Sequence, residues 1–332
     1  MAVKLIKKYD YYASLLNSSF RAYYEKAIDA LAKGNNHIRG RVEAGDDFEA
    51  QYKLLYLAID MDNPEIFFYD KEVQRATDGN ELILDYKYVY DEKDIKEMDR
   101  ELNEEVDRIV AIINKIDDIY DKLYRLNRYL TIRCREYMSW DHVASNAYGA
   151  LISKKSRCEG ICKAAKMILD RLGIKNFIAV GDATNNGTKQ AHSWNMVKVN
   201  DQWYHFDFMW DLGLAREGKY PIPIYTFLDD ATIYIDHRPS YKYPCACDTS
   251  HLYWNVHNVQ IKSVFDLGKV EIVPFKSNYF ALAMFPEALT PYEADYELAK
   301  WGMDNFNPGG ICNYFTSSYV APLKIGIFYF EN

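Results

Sequence analysis

The sequence has little of what marks several specialised classes of protein. Six cysteines in 332 residues are too few for a small disulfide-stapled secreted fold, so we expect reduced thiols. No window approaches the roughly 18 unbroken apolar residues of a membrane helix, and the amino terminus holds no apolar run long enough for a signal peptide. We therefore expect a protein with no membrane partner that is cytoplasmic as given, or exported if a signal segment has been removed.

Basic charge is also scarce. The net charge is −8 and the lysines and arginines are dispersed, which disfavours nucleic acid as a partner. There is no repeat of fixed period and no low-complexity linker. The hydrophobic share of 49% can fill sizeable cores, and the length exceeds what one core usually reaches. We expect two or three lobes packed together, with no indication of an oligomeric state.

Hydrophobic spacing predicts an α+β protein in three parts. Residues 1–117 predict a small α+β lobe that ends in a long linking helix, or in two helices joined near Asp117-Asp118. Residues 118–250 predict a core in which a helix follows Cys158 and strands come next. Residues 251–332 predict a second small α+β lobe that carries no chemistry of its own.

The individual elements follow from the period of the apolar residues. The first lobe predicts helices over residues 11–32 and 46–59 and strands at PEIFFYD and ELILDYKYVYD. The strands predicted for the core are FIAVGDA, AHSWNMVKV and QWYHFDFMWD. Those of the last lobe are KVEIVPF, YFALAMF, ICNYFTSSYV and KIGIFYFE, with a helix over residues 292–301.

Three residues of the predicted core have the chemistry of acyl transfer. Cys158 lies at or just before the first turn of a helix, where unpaired N–H groups and the helix dipole favour a thiolate. If the next strands form a hairpin around Asn200 and Asp201, His192 faces Met209 and shares one face with Asp207. A three-residue loop would place Asp207 on the other face. The pattern predicts Cys158 as nucleophile, His192 as base and Asp207 as the group that orients it.

Other residues around this hairpin are candidates for support. Trp194, Trp203 and Trp210 could shape a cleft for an extended substrate, although each could equally be core. The backbone N–H of Cys158 and the side chain of Tyr148 are the candidate donors of an oxyanion hole. Asn195 and Asp211 are better explained as hydrogen-bonding structure near the site.

Alternatives remain open for several of these positions. His205 shares the face of Asp207 and is a rival base. Cys162 lies one turn beyond Cys158, where we favour a packing role over a redox one.

The run CACDTSHLYWNVH offers a competing zinc site. Its donors would be Cys245, Cys247, His251 and His257. The spacing matches no standard zinc pattern, so we expect no metal.

The stretches AYGALISKKSRCEGICKAAKMILDRLGI and AHSWNMVKVNDQWYHFDFMWD resemble the bacterial transglutaminase-like superfamily. Its pattern is a cysteine followed by Glu-Gly, then a His-Ala-Trp-Asn strand and an Asp-x-Thr-Trp-Asp strand. The resemblance covers about residues 58–244 and departs from the pattern at Ser193, Cys162, Phe208-Met209 and, in the upstream helix, Asn127.

The resemblance implies a papain-like core in which a cysteine-bearing helix packs on an antiparallel sheet, flanked here by the smaller lobes. It implies a Cys-His-Asp triad of Cys158, His192 and Asp207, and no cofactor. We expect hydrolysis of peptide or amide bonds in a protein or peptide substrate. A cross-linking transglutaminase and a catalytically silent peptide-binding module are the alternatives.

Overall fold

The computed structural model describes residues 3–6, 8–43, 45, 47–139, 141–185, 187–215, 219–306 and 314–331. Its helices are α1 (Ser18–Ala32), α2 (Phe48–Met61), α3 (Glu92–Ile113), α4 (Ile119–Arg133), α5 (Cys158–Arg171), α6 (Phe208–Leu214), α7 (Asp230–Ile233), α8 (Tyr253–Val256) and α9 (Leu298–Phe306). None of these helices combines the length and the apolar character needed to cross a bilayer.

The strands form three larger sheets and one short pair. They are β1 (His37–Arg41), β2 (Gln74–Asp78), β3 (Glu81–Asp85), β4 (Arg135–Glu136), β5 (Lys155–Ser156), β6 (Asn176–Asn185), β7 (Thr188–Val199), β8 (Gln202–Phe206), β9 (Thr226–Leu228), β10 (His237–Pro239), β11 (Ile272–Phe275), β12 (Asn278–Met284), β13 (Tyr314–Val320) and β14 (Ile325–Glu331). With these helices and antiparallel sheets, the predicted α+β class is confirmed.

The first part of the chain differs from its predicted strands. Its antiparallel sheet has the order β1-β3-β2, and α1 packs against α2. The predicted strand PEIFFYD contributes only an isolated bridge between Tyr69 and Tyr88. Phe67, Phe68 and Tyr69 are all buried, which the alternation of a one-sided strand does not allow. β1 and β2 were missed because their sequences, HIRGR and QRATD, are polar and mostly exposed.

The long helical pattern before residue 130 forms two helices, which is one of the two predicted alternatives. α3 ends at Ile113, and α4 begins after Asp118, whose carboxylate accepts the N–H groups of Tyr120 and Asp121 at 2.8 and 3.0 Å. An aspartate at this position satisfies N–H groups that have no partner inside the helix, so it starts a new one.

The central sheet is antiparallel throughout and has the order β10-β6-β7-β8-β9, with α5 packed against β6 and β7. The predicted two-residue hairpin is confirmed: Val199 pairs with Gln202, and both Asn200 and Asp201 have positive φ, at 47° and 66°. Positive φ at both central residues is typical of the tight turns that match strand twist.

The third predicted strand of the core is too long. β8 ends at Phe206, and α6 follows at once because the Asp207 carboxylate caps it by accepting the N–H groups of Met209 and Trp210, both at 3.0 Å. The expected pairing of His192 with Met209 is therefore wrong, since Met209 lies in a helix.

The last sheet has the order β11-β12-β14-β13 and is antiparallel, with α9 packed on β13 and β14. The predicted helix over residues 292–301 is a π-helical turn, Glu293–Glu297, followed by α9. The predicted strand ICNYFTSSYV corresponds to β13, and its first three residues, including Cys312, lie outside the described residues.

The hydrophobic side chains collect in three clusters. The largest runs from Val3 to Ala246 and so joins the first predicted lobe to the predicted core. A second cluster contains Tyr220 and Ile233 together with Tyr329 of the last sheet. The predicted domain boundaries at residues 117 and 250 stay predictions.

Candidate active site

Cys158 is the first residue of α5 and is partly exposed. The first N–H groups of a helix have no acceptor within the helix, and they point outward from its amino-terminal end. Gly160 allows the preceding loop to approach this helix end: a Cβ atom at position 160 would lie 2.4 Å from the carbonyl oxygen of Ala144. The thiol thus lies at the end of the helix whose N–H groups and dipole favour negative charge.

His192 on β7 and Asp207 at the end of β8 meet as the sequence predicts. Nε2 of His192 lies 2.6 Å from Oδ2 of Asp207, and both side chains are buried. Burial alone would raise the pKa of Asp207, but the charge of His192 and hydrogen bonds from His192 and His237 hold it well below its usual range. Asp207 is therefore a carboxylate at neutral pH.

The electrostatics of the site favour charge separation between thiol and imidazole. Burial raises the pKa of Cys158, but its hydrogen bond to His192, the charge of His192 and hydrogen bonds with Ser193 outweigh burial and lower the pKa. Burial lowers the pKa of His192, but the charge and hydrogen bond of Asp207, together with Cys158, raise it to about 10. Each group stabilises the charged form of the other, so the arrangement favours a thiolate and an imidazolium.

His237 joins this cluster and was missed by the sequence analysis as a site residue. Its Nε2 lies 2.9 Å from Oδ2 of Asp207, and its Nδ1 lies 2.5 Å from Oδ1 of Asp236. The side chain is fully buried. The signal in the sequence was the Asp-His pair of IYIDHRPSY, but only the pairing of β10 with β6 brings it near Asp207.

Two of the predicted tryptophans pack on the histidines and the third does not. The Trp194 ring lies 6.3 Å from His192 and 5.1 Å from His237, and Trp210 lies 6.2 and 4.7 Å from the same two rings. Trp203 packs instead on Phe177, at 5.3 Å. By the strand period Trp203 shares the face of His205 and Asp207, but it lies beside the Asn200–Asp201 turn at the far end of β8 and does not line the cavity.

The other predicted support residues lie outside the cavity that Cys158 lines. The hydroxyl of Tyr148 donates to Glu101 at 2.6 Å, so the oxyanion role suggested for Tyr148 stays a prediction that this position does not favour. Asn195 is buried and donates to the backbone carbonyl of Cys162 at 3.1 Å.

The rival base and the second cysteine have other partners. Nδ1 of His205 accepts the Trp194 N–H at 2.8 Å, and Nε2 lies 2.8 Å from Asp230. With both nitrogens engaged, His205 is not placed to act on Cys158. Cys162 is buried with its sulfur 3.3 Å from the carbonyl oxygen of Ser193, which fits helix packing.

Asp211, which the sequence analysis assigned to hydrogen-bonding structure near the site, lies in a buried network. Asn127 donates to Asp211 at 2.7 Å, and Asp211 also accepts the Thr226 hydroxyl and the Tyr225 N–H, both at 2.8 Å. Burial raises the pKa of Asp211 well above its ordinary value, despite these hydrogen bonds. The network ties α4, α6 and β9 together beneath the site.

The cavity has a volume of about 440 Å³. Cys158, His192 and Trp210 line it, and residues 319–322, at the end of β13 and in the turn after it, form part of its wall. Substrate bound there would contact the reacting groups and the carboxy-terminal part of the chain at once.

The predicted zinc donors of the CACDTSHLYWNVH run are not brought together. His251 stacks on Tyr120 at 3.6 Å, and His257 lies 3.0 Å from Glu271. Within the described ranges, the one group of donors close enough to hold a metal ion is His192, Asp207 and His237, whose ligand atoms lie within 4.8 Å of one another. Their separations of 2.6 and 2.9 Å are those of hydrogen bonds, which account for the cluster.

Residues 107–208, which include Cys158, His192 and Asp207, match the sequence profile of the transglutaminase-like superfamily. A search of curated proteins gave no significant match. One similar solved structure is described as a TGase; it has 13% identity and a TM-score of 0.29, over 52% of this chain and 50% of that chain.

A second similar structure is that of a Cytophaga hutchinsonii protein proposed to be a cysteine protease. It has 9% identity and a TM-score of 0.30, over 42% of this chain and 61% of that chain. This chain therefore spans between 50% and 61% of the length of the two structures.

Proposed function

We propose, from the match of residues 107–208 to the transglutaminase-like superfamily, that this chain is a thiol enzyme that hydrolyses peptide or amide bonds. The observation that carries the proposal is the 2.6 Å hydrogen bond between His192 and Asp207 beside a cavity that Cys158 also lines. A nucleophile, a base and an orienting carboxylate in one place are what acyl transfer requires.

The first half of the reaction forms a thioester. The Cys158 thiolate attacks the carbonyl carbon of the substrate, and the negative charge moves to the carbonyl oxygen. Because Nε2 of His192 is bonded to Asp207, Nδ1 is the nitrogen that faces the reaction. As the C–N bond breaks, Nδ1 gives its proton to the departing amine, and the acyl group stays on the sulfur.

The second half regenerates the thiol group. A water molecule gives a proton to Nδ1 of His192 and attacks the thioester carbonyl, and the C–S bond then breaks to release the acid. The N–H of Cys158 at the start of α5 is the backbone donor for the oxyanion in both halves. Hydrolysis is the simpler outcome because water needs no pocket for a second substrate.

Selective alkylation tests the activated thiol. At pH 6, iodoacetamide should label Cys158 before any other cysteine, as measured by peptide mapping with mass spectrometry. Cys245 is the internal control: it is exposed, but its hydrogen bond to Asp230 and the charge of Asp230 raise its pKa to about 11. Labelling of Cys245 as fast as Cys158 would leave only a peptide-binding role.

Turnover tests the reaction itself. Glutamine-containing peptides and simple amides should release ammonia or amine with the wild-type protein and not with Cys158→Ser, whereas Cys245→Ser should keep the wild-type rate. Adding a fluorescent primary amine separates the two reactions. Incorporation of the amine in excess of release to water would identify cross-linking instead of hydrolysis.

A further inference from the structure

The carboxylate of Asp207 is held by four donors. Oδ1 accepts the backbone N–H groups of Met209 and Trp210, and Oδ2 accepts from His192 at 2.6 Å and from His237 at 2.9 Å. A carboxylate has about four lone-pair positions, so all of them are used. Without His237, one oxygen would keep the His192 bond alone.

His237 is itself fixed from its other side. Its Nδ1 lies 2.5 Å from Asp236, whose second oxygen accepts the Tyr225 hydroxyl at 2.8 Å. Burial lowers the pKa of His237, but its hydrogen bonds with Asp207 and Asp236 and the charge of Asp207 outweigh burial and raise it, which favours an imidazolium with hydrogen on both ring nitrogens. The charges then alternate from Cys158 through His192, Asp207 and His237 to Asp236, which are the titratable groups of this row.

The sheet brings this pair to the site by a close approach of strands. Pro239 of β10 pairs with Gly181 of β6, and Gly181 pairs with His192 of β7. A Cβ atom at position 181 would lie 2.2 Å from the carbonyl oxygen of Arg238, so only glycine lets β10 lie so near. His237 and His192 thus face the same side of the sheet with Gly181 between their strands.

We propose that His237 and Asp236 form a positioning pair that fixes the carboxylate of Asp207 and, through it, the imidazole of His192. The pair does not line the cavity and has no contact with the reacting atoms. Its effect is orientation: an imidazole that drifts from its productive geometry transfers protons more slowly. This inference rests on the proposed function.

The test replaces His237 by Phe, which keeps a ring against Trp194 and Trp210 but has no N–H. We expect kcat to fall roughly 100-fold with KM unchanged, the loss that a small misplacement of a reacting group causes. His237→Gln should recover part of the rate by restoring one donor, and it also serves if the Phe variant does not fold. His205→Phe is the matched control. His205 is as buried as His237 and also hydrogen-bonds to an aspartate, but that aspartate is Asp230.

A double variant shows whether His237 acts through Asp207. In the background of Asp207→Asn, adding His237→Phe should cause no further loss, because the group it positions has already been changed. A full additional loss in that background would overturn the inference, and so would a kcat of His237→Phe equal to that of His205→Phe.

Nuclear magnetic resonance separates this inference from the proposed function. The low-field imidazole proton shared by His192 and Asp207 should shift in His237→Phe and stay in place in His205→Phe, whether or not the protein turns over substrate. An unshifted proton would overturn the positioning role alone. Failure of wild-type Cys158 to label at pH 6 would instead overturn the proposed function.

Discussion

Two clusters of charged side chains lie beside helix α5 and differ in whether they can take part in a reaction. One is the cluster of His192, Asp207 and His237 beside the cavity. The other joins α2 to α5: Lys163, which is buried, lies 2.5 Å from Asp60 and 2.7 Å from Glu159. We call the second group, which also includes Lys71, the anchor cluster.

The difference lies in the cations. In the anchor cluster, burial lowers the pKa of Lys163, but the charges of Asp60 and Glu159 and hydrogen bonds with them raise it above its ordinary value, so Lys163 stays charged and holds the first part of the chain against α5. The site cluster uses histidines, whose protonation can change during a reaction, and it opens to a cavity. Buried charge alone does not therefore indicate function in this molecule; the type of cation and access to a cavity do.

The largest difference in activity between substitutions in the two clusters is expected for Asp207→Asn. The variant keeps the shape of the side chain but cannot hold the imidazolium, so we expect kcat to fall by about 10⁴-fold, the effect known for such a change in a triad. The matched variant in the anchor cluster, Asp60→Asn, should keep its kcat. Steady-state kinetics on both variants measure the contrast, and a loss in Asp207→Asn of less than roughly tenfold would contradict it.

Lys163→Met should have the reverse effect: it should lower the free energy of unfolding and leave the reactivity of Cys158 unchanged. It removes the buried cation between Asp60 and Glu159 but leaves Lys71 beside both, so we expect the low end of the cost of a broken buried ion pair, about 3 kcal/mol of the free energy of unfolding. The labelling rate of Cys158 at pH 6 should stay unchanged in the folded variant. Urea denaturation measures the first quantity.

The control for this variant is Lys33→Met, which removes an exposed pair with Asp29. Exposed pairs contribute between about 0 and 1 kcal/mol, so this change should be small. Equal losses in the two lysine variants would show that the anchor cluster contributes no more than an ordinary surface pair.

Acid should reduce the difference between wild type and Lys163→Met. Burial raises the pKa of Asp60, but the charges of Lys163 and Lys71 outweigh it and lower the pKa from 3.8 to about 2. Because the folded pKa is the lower one, the contribution of Asp60 is complete above pH 3.8 and is lost as the pH falls toward 2. We expect the difference in unfolding free energy to shrink by about 2 kcal/mol over this interval. A difference that is constant with pH would contradict the assignment.

Apart from the Lys33→Met control, the smallest effect is expected for Cys162→Ala. The sulfur packs in the core and contacts the Ser193 carbonyl oxygen, so its removal should cost about 1 kcal/mol of stability. Labelling of Cys158 should be unaffected, also in the presence of peroxide. If peroxide overoxidised Cys158 faster in Cys162→Ala than in the wild type, the redox role of Cys162, which we do not favour, would be supported.

The sequence was sufficient where the structure depends on local rules. The two-residue turn at Asn200 and Asp201 follows from residue types that accept positive φ, and the strand period then places His192 and Asp207 on one face. The helix after Cys158 follows from its apolar stripe. These features involve residues close together in the chain.

The sequence was insufficient where distant segments meet. His237 lies 30 residues beyond Asp207, and its role depends on how β10 pairs with β6, which no local pattern indicates. Helix α6 was missed because FDFMWD alternates like a strand. The hydrogen bonds by which Asp207 caps the helix stabilise the helical conformation instead. Trp203 shows the same limit: the strand period places it on the face of Asp207, but the sequence does not show that its ring packs on Phe177 away from the cavity.

The wall formed by residues 319–322 has a consequence for how this protein can change over generations. Under the proposed function, the groups that break the bond lie between residues 158 and 207, whereas this wall comes from the end of β13 and the turn that connects it to β14. Substitutions in this wall would alter the shape of the cavity without replacing Cys158, His192 or Asp207. The shape of the cavity and the proposed chemistry are thus encoded in separate stretches of the sequence.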